Sequence, residues 1–236
     1  MNAALAPTLL GSIKIFGRKP KAFDLLSASP LIIWTMVCLA YQWGDFAHDV
    51  SKFSFSGLET LAAFDLLSRL CRFLFAALLI TLLIVRRTPI KRQQSISRRA
   101  IAFFGCYVGI AAQIFPVSTS VPWIAAVSAW LVIFGMLFSI FSLLWLGGSI
   151  SIMPESRKLV TSGPYSVIRH PLYVGEQVAA LGIALQARSS WVLAVLVLQF
   201  CCQMYRMMYE EEILTETFPE YVDYSKNTAR LIPWLY

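Results

Sequence analysis

The sequence predicts an all-α fold: a polytopic membrane helix bundle of about six transmembrane helices, with both termini on the cytoplasmic side. Three observations predict it. Apolar residues make up 58% of the 236, and charged residues 14%; soluble domains run near 45–50% and about 25%. The apolar residues gather into six runs separated by polar gaps. Lys and Arg collect in alternate gaps. Lys14, Arg18, Lys19 and Lys21 precede the first run, six basic residues occupy 86–99, Arg157, Lys158 and Arg169 follow the fourth run, and Lys226 and Arg230 lie in the tail. The opposite gaps hold only Lys52 and Arg188. Basic residues in short loops stay cytoplasmic, so the ends of the chain and the gaps after the second and fourth runs share that side. The net charge of +7 needs no nucleic acid to explain it. Segment 86–99 is a topology signal first and a contact for anionic membrane lipids second.

In chain order, the basic residues at 14–21 follow rather than precede a weak apolar stretch, which does not suit a cleavable signal. Pro30–Gly44 is the first run, with interfacial Trp34, Tyr41 and Trp43. Asp45–Gly57 is mixed and predicts a loop. Leu58–Val85 is the second run, Ala100–Phe115 the third, and Pro116–Pro122 a turn. Trp123–Leu146 is the fourth run and carries no charge. Pro171–Ala187 is the fifth, and Arg188-Ser189-Ser190 a turn. Trp191–Met208 is the sixth, and Glu210–Tyr236 a polar tail. Residues 1–145 read as N-terminal transmembrane helices and 146–236 as a motif-bearing region, the two forming one integrated domain.

The passage Arg157–Glu176, RKLVTSGPYSVIRHPLYVGE, stands out between apolar runs. Its two prolines and two glycines break any single helix. The expected topology puts it beside the tail. The five cysteines lie in apolar runs without a CxxC, and the two histidines are far apart. No metal pattern results, and the cysteines read as small buried hydrophobes.

Charges inside apolar runs are costly and often functional. Asp65 and Arg69 can pair along one helix face, with Arg72 a turn further. They sit either at the outer interface, which is the simpler reading, or on a polar cavity face. Glu176 and Arg206 lie near the cytoplasmic ends of their runs. Arg206, Glu210, Glu211 and Leu214 are spaced i, i+4, i+5, i+8, which puts Arg206 and Glu210 one turn apart on a helix.

These residues resemble a known group. Leu159–Gly175, LVTSGPYSVIRHPLYVG, is similar to the signature of isoprenylcysteine carboxyl methyltransferases and their prokaryotic relatives, LVTxGxYxxxRHPxYxG. The tail, with Arg206, Glu210-Glu211, Leu214, Phe218, Tyr221, Tyr224, Arg230 and Pro233, resembles their RxxxEExxLxxxFGxxYxxY and basic–proline ending. Phospholipid N-methyltransferases are more distant members with a similar paired glutamate. The resemblance covers Leu146–Pro233. It implies a cytoplasmic pocket for S-adenosyl-L-methionine, contacted by Lys158, Leu159, Val160, Tyr165, His170, Pro171, Leu172, Tyr173 and Glu210. It makes Arg206 the catalytic residue facing the methyl acceptor; Glu176, from its own place near the cytoplasmic end of its run, is a further candidate at the acceptor. The implied partners are a lipid-like or prenylated acceptor and membrane lipids; oligomeric state stays open. Two departures stand out. Arg157 occupies a position where the family often has His, which puts one cofactor contact in doubt. Pro219 replaces a Gly after Phe218, outside the expected pocket.

The chemistry of these residue types agrees. A sulfonium favours aromatic faces, and an adenine favours an apolar slot with a few polar groups. Tyr165, Tyr173, His170 and Glu210 supply these types, and Gly163 and Gly175 would let backbone approach closely. No GxGxxG follows a strand, which excludes a Rossmann-type site. A carboxylate acceptor is already ionised and needs only a grip, which Arg206 could give in bidentate form. An amine acceptor needs a base, for which Glu176 or Glu211 would serve. Arg206 tilts the expectation toward carboxyl O-methylation. Amine N-methylation, a non-catalytic protein keeping the scaffold, and a transporter are the alternatives.

Overall fold

The computed structural model describes residues 20–52, 60–111, 121–187 and 190–233. Among the described residues, seven α-helices carry the fold: α1 Pro20–Lys52, α2 Thr60–Val85, α3 Ile96–Ala111, α4 Pro122–Leu146, α5 Pro171–Ala187, α6 Ser190–Thr217 and α7 Tyr221–Asn227. The fold class is the expected all-α membrane bundle. Four helical stretches are long and apolar enough to cross a membrane: Lys21–His48, Ala62–Val85, Pro122–Ser149 and Trp191–Thr217. Helices α3 and α5 have 16 and 17 described residues, and each runs up to the edge of a described segment. Among the described residues, four of the six expected crossings thus meet both length and apolarity.

Several boundaries differ from expectation for physical reasons. Helix α1 runs through Pro30 instead of starting there. Pro suits a first helical turn, but an apolar helix long enough to pack on both sides carries it in the interior. The same helix continues to Lys52, so the first part of the expected loop 45–57 is helical; polar residues do not by themselves end a helix. The turn at 116–122 and residues 188–189 lie largely outside the described residues. Helix α6 passes Met208 and ends at Thr217, so Glu210, Glu211 and Glu212 stand on a helix. Helices α4 and α5 both begin at proline, whose missing N–H costs nothing at that position.

The basic gaps meet at one end of the bundle. Lys21 Nζ bonds to the Arg86 carbonyl. Strand β1, Lys91–Arg92, pairs antiparallel with β2, Glu155–Ser156, in the register Lys91↔Ser156 and Arg92↔Glu155. Arg98 pairs with Glu212 at 2.5 Å, and Arg169 with Glu211 at 2.9 Å. The start of α1, the end of α2, the start of α3, the end of α4, the start of α5 and the end of α6 are thus neighbours. Asp65 and Arg69 form their expected pair, 2.9 Å apart, toward the opposite end of α2. They border neither cavity described below.

Side chains of Leu31, Phe75, Leu83, Ile133, Met136 and Leu143 form the buried core. Outward-facing Trp123, Phe134, Leu144 and Trp191 are each more than half exposed, a surface matched to lipid rather than water. Helices α4 and α5 approach through small residues, as membrane helices do. A Cβ on Gly135 would stand 2.6 Å from the Gly175 carbonyl oxygen, and one on Gly182 would stand 2.7 Å from that of Ser128. Ser128 Oγ donates to the Gly182 carbonyl at 2.7 Å. Gly175 therefore serves helix packing, not the ligand approach expected of it. We expect Gly135→Val to lower stability by about 3 kcal/mol, the upper end for overpacking, because the clash is with backbone. Thermal unfolding in detergent measures this, and an unchanged midpoint would mean the two helices do not touch there.

Candidate active site

Gly163 opens the site. Its φ of 63° is a conformation that glycine adopts freely, and any Cβ there would fall into the Trp145 ring. The tight turn Gly163–Ser166 that follows buries Tyr165 to 6% exposure. The tail holds this turn in place. Tyr224 donates its hydroxyl to the Tyr165 carbonyl at 2.6 Å. Arg169 N donates to the Ala229 carbonyl at 2.8 Å, and His170 N to that of Arg230 at 3.2 Å. The motif loop and the tail thus lie side by side, although about sixty residues separate them in sequence.

Glu211 locks that junction. Its Oε1 accepts from Arg169 Nε at 2.9 Å, pairs with His170 Nε2 at 3.0 Å and accepts from Arg230 Nε at 3.1 Å; Oε2 accepts from Arg230 Nη2 at 2.7 Å. Only 13% of the Glu211 side chain is exposed. Sequence reasoning offered Glu211 as a base for an amine; the structure spends it on these three partners.

Glu210, one residue earlier, points elsewhere. Its Oε1 accepts from Tyr173 Oη at 2.8 Å and from Arg206 Nε at 2.9 Å, the i, i+4 pair expected from spacing. Arg206 also lies over the Tyr173 ring, 5.2 Å from its centroid. It donates from Nη1 to Cys106 Sγ at 2.7 Å and from Nη2 to the Ser151 carbonyl at 2.6 Å. His170 stacks on Tyr173, with centroids 5.4 Å apart and planes 8° from parallel. The Tyr173 ring therefore orients Arg206 and Glu210.

Two cavities meet here. The first, beneath the motif loop, is bordered by Lys158, Leu159, Val160, Tyr165, His170, Leu172 and Tyr173, and by Arg206 and Glu210. Pro171 does not border it; that residue is fully buried at the start of α5. Sequence reasoning did not single out Ser151, Tyr221 or Tyr224 on its wall. The two tyrosines were visible only as aromatic positions in the tail pattern, and Ser151 carried no signal. Tyr165 Oη and Tyr221 Oη are buried without a hydrogen-bond partner. Burial raises both phenol pKa values above the usual range, and pushes that of Tyr224 up to about 12.

The second cavity runs into the bundle. Leu79, Leu83, Met136, Ile183 and Leu196 line it, with Glu176, Gln199 and Gln203 as polar members. Gln203 Nε2 donates to Glu176 Oε2 at 2.5 Å, and Gln177 donates to Gln199 Oε1 at 2.8 Å. Glu176 thus belongs to this apolar cavity and not to the first. Tyr173, Arg206, Leu172, Ile150 and Ser151 border both. Among the described residues, no group of three or more His, Cys, Asp or Glu could hold a metal ion.

Comparison with known proteins finds similarity over part of the chain. A family model described as phospholipid methyltransferase matches residues 123–221. The nickel-cobalt-cadmium resistance protein NccN of Alcaligenes xylosoxydans xylosoxydans is 36% identical over 115 residues, 48% of this chain and 53% of that protein. The cobalt-zinc-cadmium resistance protein CzcN of Cupriavidus metallidurans is 41% identical over 83 residues, 34% of this chain and 38% of that protein. The chain therefore spans about half or less of the length of these relatives. The family model matched by residues 123–221 is part of the membrane methyltransferase superfamily that includes both phospholipid and isoprenylcysteine carboxyl methyltransferases, and the match spans the signature-like stretch Leu159–Gly175.

Proposed function

We propose that this protein is an S-adenosyl-L-methionine-dependent integral membrane methyltransferase acting on a lipid-like acceptor. The observation that carries this is the meeting of a polar, tyrosine-walled cavity with an apolar one at Tyr173 and Arg206. The first cavity suits the cofactor. Its two orphaned hydroxyls, on Tyr165 and Tyr221, are costly unless a ligand's polar atoms satisfy them. Both bonds that Glu210 accepts fall on Oε1, which leaves Oε2 for a ligand donor. Lys158 and His170 add further polar groups, and Leu159, Val160 and Leu172 an apolar wall. When bound, S-adenosylmethionine supplies a methyl group on a sulfonium centre. The apolar cavity suits an acceptor's hydrocarbon portion, consistent with a prenylated or other lipid-like substrate. The basic end of the bundle, and with it the site, faces the cytoplasm by the charge rule.

The acceptor group we favour is a carboxylate, as in the isoprenylcysteine carboxyl methyltransferases. Arg206 uses three of its five N–H groups on Glu210, Cys106 and Ser151. One N–H on each terminal nitrogen is left for an acceptor carboxylate. A specific observation favours a second reading, amine N-methylation: Glu176 places a carboxylate in the acceptor cavity, and the matching family is the phospholipid one.

Binding of S-adenosylhomocysteine to the purified protein in detergent tests the cofactor reading. No binding would sink both enzyme readings and leave a non-catalytic scaffold. Membranes incubated with methyl-labelled cofactor then separate the acceptors, since a methyl ester is base-labile and a methylamine is not. Tyr221→Phe gives an independent check. Removal of an orphaned hydroxyl should leave apo stability unchanged or raise it by up to about 1 kcal/mol, while weakening S-adenosylhomocysteine binding several-fold. Unchanged affinity would mean that Tyr221 does not face the ligand.

A further inference from the structure

Asp24 stands far outside the matched region, near the start of α1, with 1% of its surface exposed. Its carboxylate accepts from Arg86 Nε at 2.9 Å, from Arg157 Nη2 at 2.8 Å and from Arg157 Nη1 at 3.2 Å, with Arg92 Nη2 at 3.3 Å. The Arg157 side chain is fully buried. A guanidinium has five N–H donors, and Arg157 uses all of them inside the protein. Nε goes to Ser151 Oγ, Nη1 to Asp24 and the Arg87 carbonyl, and Nη2 to Asp24 and Glu155. Arg157 borders the cofactor cavity, as do Ser149, Ser151, Glu155, Lys158 and Val160 from the same segment. It therefore walls the cavity without a donor to offer a ligand. Asp24 takes two of its five bonds and supplies the carboxylate that lies across from the segment on another helix.

We propose that Asp24 is a positioning residue for the cofactor site. It holds Arg157 in place, and through Arg157 the wall segment 149–160, so that a helix outside the methyltransferase match sets cofactor affinity. Without Asp24, the buried guanidinium keeps only Glu155, which lies on its own segment, and loses the counter-charge that ties it to α1; the opening it borders is the cavity itself. Arg86 provides an internal control. It shares Asp24 and is 2% exposed, but it does not border the cavity.

This inference rests on the reading of that cavity as the cofactor site, and the test separates the two. The full chain in detergent is titrated with S-adenosylhomocysteine, with thermal unfolding recorded in parallel. We expect Asp24→Asn to weaken binding roughly tenfold, a typical coupling for residues in one network. Asp24→Glu, which keeps the carboxylate, should stay within about threefold of wild type, and Arg86→Gln should lower the unfolding temperature yet stay within about twofold. Arg157→His removes the same link from the other side. It should lose about as much as Asp24→Asn, and the double variant little more than either. If Asp24→Asn does not fold, the Arg157→His titration carries the test alone. Wild-type binding with an unchanged Asp24→Asn or Arg157→His overturns this inference alone. Equal losses from Arg86→Gln and Asp24→Asn overturn it too, since the cluster would then be generic scaffolding. Failure of the wild type to bind overturns the cofactor reading and this inference with it.

Discussion

Glu211→Gln should disconnect the motif loop from the tail and abolish measurable S-adenosylhomocysteine binding. Glu211 carries Arg169, His170 and Arg230 on two oxygens, in a setting only 13% open to solvent. Glutamine keeps the shape and one acceptor oxygen but removes the charge, so two arginines face each other across a neutral amide. Breaking a buried ion pair from one side costs about 3–5 kcal/mol. Thermal unfolding should show that loss, with the tail from Tyr221 onward becoming protease-sensitive first. Its neighbour gives the contrast. Glu212 pairs with Arg98 at 2.5 Å, but its side chain is 45% exposed, and exposed pairs contribute about 0–1 kcal/mol. Glu212→Gln should leave binding and unfolding near wild type. Equal effects from the two variants would remove Glu211 from its central place.

Arg206→Lys should bind S-adenosylhomocysteine within a few-fold of wild type and turn over about a hundredfold more slowly. Lysine keeps the charge beside Glu210. It cannot keep the fork that reaches Glu210, Cys106 and the Ser151 carbonyl at once, nor a bidentate grip on an acceptor. A misplacement of about 1 Å is enough for a loss of that size. Arg206→Ala should be worse in both respects, because Glu210 would lose its cation as well. The measurement is label transfer in membranes against cofactor affinity in detergent. A variant that loses both equally would make Arg206 a cofactor ligand rather than the acceptor's partner.

Much of this was legible in the sequence because it is local. Apolar run length, the alternation of basic gaps and the proline start of α5 depend on residues within a few positions of each other. So does the pairing of Arg206 with Glu210, which follows from helical spacing alone. The motif residues around Tyr165, His170 and Tyr173 stood out because a Gly- and Pro-rich island between apolar runs cannot continue either flanking helix. Segment 45–52 was misread because polarity in a short window resembles a loop, whereas helix continuation depends on backbone bonds that polarity does not break.

The three adjacent glutamates show where sequence reading stops. Glu210, Glu211 and Glu212 look alike in the chain. On α6 they point, about 100° apart, at a cavity, a buried cluster and the surface. The same limit applies to Asp24, which sits in the sequence as one acid among basic residues and in the structure as a buried carboxylate shared by Arg86, Arg92 and Arg157. By itself, the sequence determined the membrane bundle, the end at which its basic gaps meet and the motif-bearing region. Only the tertiary structure decided which bonds fasten the motif loop to the tail, that the cavity beneath them opens into an apolar one at Arg206, and that α1 is tied to its wall. The reason is physical: periodicity and charge bias are properties of neighbouring residues, while cavities and buried charge clusters exist only once distant segments have packed together.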